Sequence, residues 1–162
     1  MSTLASVPAT PAANIFLEQH RIIRAPRARV YEAWTNPEIL KTWFGPPNRD
    51  TTGVDLDVRE DGSYRIDMHV KPEFAATVPH SLATVSGAYT KVIPNELLQF
   101  TWEPTWSPGE LSLVTITFED VRGGTQINLR HERFANEQSR DGHKNGWAGA
   151  LDKLATVVSE QQ

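Results

Sequence analysis

The stretch NEQSRDGHKNGWAGALDKLATVVSE (136–160) decides how this chain is read. Trp147, Leu151, Leu154 and Val158 recur at spacings of four, three and four residues. That rhythm lines them along one side of a helix, about Asn136 to Glu160, whose apolar stripe must be laid on something. Gly142, Gly146 and Gly149 share a side at similar spacing. Each costs roughly 1 kcal/mol relative to Ala inside a helix, so three of them need a reason. Three remain open: close approach to a sheet, a hollow beside the helix, or a helix that begins only near Gly146.

Working back from the helix, the chain is β-rich. Strands are expected at Thr125–Arg133, Ser112–Asp120, Glu96–Trp102, Thr84–Ile93, Ser63–Val70 and Thr52–Val58. Gly123-Gly124, Pro94-Asn95 and the tight turn Glu60-Asp61-Gly62 link neighbours as hairpins. Tyr64, Ile66, Met68 and Val70 alternate with Arg65, Asp67 and His69, so the two sets take opposite faces. Leu98, Phe100 and Trp102 share a face, as do Ile127, Leu129 and His131. Further back, Asn36-Pro37 is a good N-cap and first helical residue, opening a short helix that carries Leu40, Trp43 and Phe44. A helix over Arg27–Thr35 precedes it, and a strand over Ile15–Arg24 opens the ordered chain. Met1 to Asn14, rich in Ala, Pro, Ser and Thr, is a poor signal peptide and is expected to be a disordered tail. The fold class is therefore α+β: an antiparallel meander, curved around one long C-terminal helix, in a single domain over 15–162.

Composition narrows the function. A net charge of -4 with no run of Lys and Arg argues against nucleic acid and anionic membranes. No apolar run approaches the ~20 residues of a membrane span. The absence of cysteine removes disulfides, thiolate nucleophiles and cysteine-held metals, and fits a cytoplasmic protein. The histidines His20, His69, His80, His131 and His143 show no helical metal-site spacing, so no metal or cofactor is expected. No nucleophile elbow or phosphate loop appears, so no catalytic residue is assigned.

Several motifs together resemble one family. The run Arg24-Ala25-Pro26-Arg27-Ala28-Arg29-Val30-Tyr31-Glu32-Ala33-Trp34-Thr35-Asn36-Pro37 is followed by Trp43-Phe44-Gly45-Pro46 and Asp61-Gly62-Ser63-Tyr64-Arg65. Then come Gly123-Gly124-Thr125 with Leu129-Arg130-His131, and Gly146-Trp147 with Leu151 and Leu154. In order and spacing this is similar to the AHSA1-like (activator of Hsp90 ATPase homologue 1-like) family of the START/Bet v 1-like, or SRPBCC, superfamily. The resemblance covers about Ile15 to Val158 and implies a helix-grip fold. The eukaryotic co-chaperone that names the family resembles this chain only in its C-terminal domain.

The superfamily implies a small apolar or amphipathic ligand held between sheet and helix. By resemblance the lining would come from Trp43, Phe44, Tyr64, Met68, Phe100, Trp102, His131 and Trp147. The loop Lys71–Ser81 and the Trp43-Phe44 segment would form a lid. His131 reads first as a structural histidine and second as a ligand contact or general acid–base group. Arg65, Asp67 and His69 read first as a solvated face and second as a polar cavity mouth. A ligand-binding protein is the leading reading. A cyclase- or hydratase-type enzyme and a stress-related, chaperone-contacting domain are the alternatives. A homodimer through a sheet edge or an exposed aromatic loop stays open.

Overall fold

The computed structural model describes residues 14–77 and 81–160 of the 162. The expected tail lies, except for Asn14, outside the described residues, as does His80. In chain order the elements are β1 (Phe16–Ile23), α1 (Arg27–Thr35), α2 (Pro37–Trp43), β2 (Arg49–Leu56), β3 (Ser63–Val70) and a short 3-10 turn (Pro72–Phe74). Then follow β4 (Leu82–Ile93), β5 (Leu97–Pro104), β6 (Ser112–Val121), β7 (Gly124–Glu132) and α3 (Glu137–Glu160). All seven strands are antiparallel in one curled sheet of order β1-β7-β6-β5-β4-β3-β2.

Local chemistry places the helix boundaries. Asn36 caps α2, its side chain accepting from Glu38 N at 3.0 Å, with Pro37 as the first helical residue. The same proline ends α1 at a cost. The Ala33 carbonyl would bond the N–H four residues on, and Pro37 has none. The indole of Trp43 supplies the missing donor, 3.0 Å from Ala33 O. Asn136 caps α3 through Oδ1, which accepts from Ser139 N at 2.8 Å. The helix therefore already runs through Gly142, which removes the late-start reading of the glycine series.

Trp147, Leu151, Leu154 and Val158 are buried as the spacing demands. They meet Leu98, Ile116, Ile127 and Leu129, all essentially inaccessible, in one core. The salt bridge Arg21–Asp152 and the bond from Gln19 Nε2 to Lys144 O tie β1 to α3. In β1 the buried residues are Leu17 and Ile23, whereas Phe16 lies outside beneath the Arg130 guanidinium, 3.9 Å from its ring.

Two places depart from a plain meander. The β2–β3 link is not a tight Asp-Gly hairpin but a loop over 57–62, closed by Asp57 N to Ser63 O. Asp61 takes the left-handed conformation at φ 69°, and Asp61 N bonds Tyr89 O on β4. At Gly87 the β4–β5 strands come so close that a Cβ would run into the Thr101 carbonyl oxygen. There the side chain of Thr101 accepts from Ala88 N at 2.9 Å, and its carbonyl accepts from Tyr64 Oη at 2.6 Å. A side-chain-free position at a sharp coil of the sheet is what such crowding selects.

Candidate functional site

Between the curled sheet and the first half of α3 lies a hollow of about 710 Å³. Its inner wall is Phe44, Met68, Trp102 and Trp147, contributed by the end of α2, β3, β5 and α3. The three aromatic rings stand against one another, with Trp102–Trp147 centroids 5.2 Å apart and Phe44–Trp147 5.9 Å. Its outer rim comes from the β5–β6 loop, with Trp106, Ser107, Pro108 and Glu110, and from Asn136, Gln138 and Ser139 at the start of α3. Trp106 is 46% exposed, so the hollow reaches the surface beside it.

Gly142 and Gly146 lie on the wall, and a Cβ at either would meet nothing within 4 Å. Of the readings of the glycine series, the hollow is the one realised. Gly149 sits further along, where a Cβ would reach ordinary contact with Pro47 at 4.0 Å.

The residues expected around a ligand are distributed unevenly. Phe44, Met68, Trp102 and Trp147 line the hollow. Tyr64 and Phe100 border a separate void of about 20 Å³, together with Phe44 and Trp102. Trp43 and His131 line neither. Trp43 is packed behind Phe44 and Trp34, at 5.7 and 4.6 Å between centroids. His131 is fully buried behind the two tryptophans. Of the two segments expected to form a lid, Trp43-Phe44 contributes Phe44 to the hollow. None of the described residues of the Lys71–Ser81 loop lines the hollow. Arg65 and Asp67 pair with each other at 3.1 Å, and His69 bonds Thr52 Oγ1 at 2.7 Å, away from the hollow on the solvated face.

Behind the aromatic wall runs a chain of hydrogen bonds that fixes two histidine tautomers. An indole can only donate. Trp147 Nε1–H therefore donates to His131 Nδ1 at 3.0 Å. The proton of His131 sits on Nε2 and goes to Ser112 Oγ at 2.7 Å, and Ser112 Oγ in turn donates to Trp102 O at 3.3 Å. Trp102 Nε1–H donates to His143 Nε2 at 3.2 Å, so His143 carries its proton on Nδ1 and donates it to Ser139 O at 2.8 Å. Both imidazoles are saturated while neutral. A second proton on either would face an indole N–H. Burial, reinforced by neighbouring His143, holds the proton affinity of His131 well below the ordinary histidine range. Burial lowers that of His143 too, against the upward pull of its Ser139 bond and of Glu110.

Glu110 fastens the rim loop to α3. Its carboxylate accepts from Ala135 N at 2.7 Å and from the Ser139 hydroxyl at 3.0 Å. Trp106, Glu110 and His143 were not among the expected lining residues. Two signals point to the first and the last of them, and none to Glu110. Trp106 is a large apolar residue stranded in a Pro- and Gly-rich loop, and His143 precedes Trp147 by four residues, on the same helix face.

Among the described residues, no group of three or more His, Asp or Glu side chains could hold a metal ion. No described helix is long and apolar enough to cross a membrane.

Known proteins resemble this chain in family profile and in fold. The family profile described as Activator of Hsp90 ATPase homolog 1-like protein matches residues 24–159. A crystal structure of a Chromobacterium violaceum protein superposes with a TM-score of 0.78 at 25% identity, covering 89% of this chain and 96% of that one. The AHSA1 protein of Silicibacter pomeroyi gives 0.77 at 23% identity, covering 91% and 100%. A Staphylococcus aureus protein of unknown function gives 0.73 at 24%, covering 93% and 98%. No curated protein sequence matches the chain.

Proposed function

Because the chain belongs to the Activator of Hsp90 ATPase homolog 1-like family, we propose that it binds a small apolar or amphipathic molecule between its sheet and α3. The observation that carries this reading is the hollow itself. Its volume of about 710 Å³ falls in the range of small-molecule sites, and its wall is mostly aromatic and aliphatic. Gly142 and Gly146 support it, because each lowers helix stability and neither is needed for close packing. On this reading Phe44, Met68, Trp102 and Trp147 touch the ligand. Trp43 and His131 support the wall from behind, and Trp106 with its loop guards the entrance.

Proton transfer through His131, the enzyme alternative, finds little support, since both ring nitrogens are already engaged by Trp147 and Ser112. Chaperone contact rests on the family name alone.

The test is native mass spectrometry with organic extraction of gently purified protein, paired with a titration of apolar fluorescent probes. Gly146→Leu should fill the hollow. The expected result is a loss of probe affinity of about tenfold or more with an unchanged or raised melting temperature, since Leu is the better helix former. If no probe from a broad apolar panel binds the unmodified protein, and none is co-purified, the reading fails.

A further inference from the structure

We infer that the hollow selects amphipathic molecules bearing a protonated amine over those bearing a carboxylate, and that Glu110 is the residue that selects. This rests on the ligand-binding reading above and adds the charge class of the ligand. Among the described residues that line the hollow, Glu110 is the only charged one, and no Lys or Arg accompanies it. Cavities that hold fatty acids or other carboxylates need a cation or free N–H groups to replace lost water.

The natural place for an anion here would be the start of α3, where helix N–H groups point outward. There the Glu110 carboxylate already stands against the start of the helix. Asn136 Oδ1 accepts from Ser139 N, and the Glu110 carboxylate accepts from Ala135 N and the Ser139 hydroxyl. A ligand carboxylate placed there would meet the fixed negative charge of Glu110.

An ammonium group meets the opposite. Trp102, Trp106 and Trp147 line the hollow with indole rings, whose quadrupoles attract cations, and Glu110 offers the counter-charge at the rim. Glu110 also pulls on the neighbouring His143, opposing the burial that leaves its proton affinity lowered. The imidazole itself cannot take the role of cation without opposing the Trp102 N–H.

The experiment uses three probes that share one naphthalene body: 2-(1-naphthyl)ethylamine, 2-(1-naphthyl)ethanol and 1-naphthylacetic acid. Binding is read by isothermal titration at pH 7.5 in low salt. The amine should bind about tenfold more tightly than the acid, with the alcohol between, and salt should compress the gap. Glu110→Gln should bring amine and acid to within about twofold of each other. Because Glu110 also anchors the rim loop, Gln138→Lys provides an independent check: a cation added at the rim offsets the Glu110 charge and should likewise narrow the gap between amine and acid while the loop anchor stays intact.

An acid that binds as well as the amine, or an amine-to-acid ratio untouched by both variants, would overturn the charge selection while leaving the cavity reading intact. Failure of all three probes, the neutral alcohol included, would instead remove the cavity reading on which the inference stands.

Discussion

His131 and His143 show how a polar pair can be built into an aromatic wall and remain neutral. Their folded-state proton affinities lie below those of an unfolded chain, so the unfolded state binds more protons in acid. The stability they contribute is complete above about pH 6.5 and declines as pH falls below it, with a slope approaching about 1.4 kcal/mol per pH unit for each proton excluded. Urea melts at stepped pH should show this fall, and His131→Gln should flatten it. Glutamine keeps an acceptor for Trp147 and a donor for Ser112 but does not titrate. An unchanged slope in that variant would contradict the neutral network. A second contrast concerns two indoles. Trp43 Nε1 serves the Ala33 carbonyl, whereas Trp34 Nε1 is buried with no partner among the described residues. Trp43→Phe should therefore destabilise the protein by about 1 kcal/mol more than Trp34→Phe, because it strands a buried carbonyl. Equal denaturation midpoints for the two variants would refute this. At this scale the sequence was only partly legible. Alternation showed which side chains face inward, but every inward tryptophan looks alike until the curvature of the sheet is known. Phe44 and Trp43 are neighbours, yet one faces the hollow and the other the core.

At the scale of elements, periodicity was the clearest guide. The helix boundaries at Arg27–Thr35 and near Asn136 follow from caps and prolines whose effects are local. The β2–β3 connection misled, because Asp61-Gly62 suits a two-residue turn while the actual loop is pinned from outside by Tyr89 O. Tertiary partners override turn chemistry there. Glycine carries opposite meanings in two elements. Gly87 is pressed against the Thr101 carbonyl, so Gly87→Ala should cost about 2 kcal/mol or more through forced separation of β4 and β5. Gly142 faces open space, so Gly142→Ala should gain about 0.5–1 kcal/mol. Thermal melts of the two single-methyl variants should move in opposite directions, and a shared sign would count against this account.

The architecture of the whole molecule was legible because seven amphipathic strands and one striped helix admit few ways to bury their apolar faces. The hollow was harder to foresee, since it depends on how far the helix stands off the sheet near its start. No one-dimensional pattern encodes that distance, although the glycines left a trace of it. One feature of the topology also governs how this structure comes into being. Among the described residues β1 pairs with β7 alone, about a hundred residues further on, and finds its helical cover in α3. During synthesis the earliest strand must wait, unpaired, while the meander forms, and the concave face stays wet until α3 emerges. The ribosome delivers the helix that covers the core only after all seven of these strands. For this chain the dangerous interval is thus the time before α3 is made, when a nearly finished sheet presents its aromatic inner surface to every neighbour in solution.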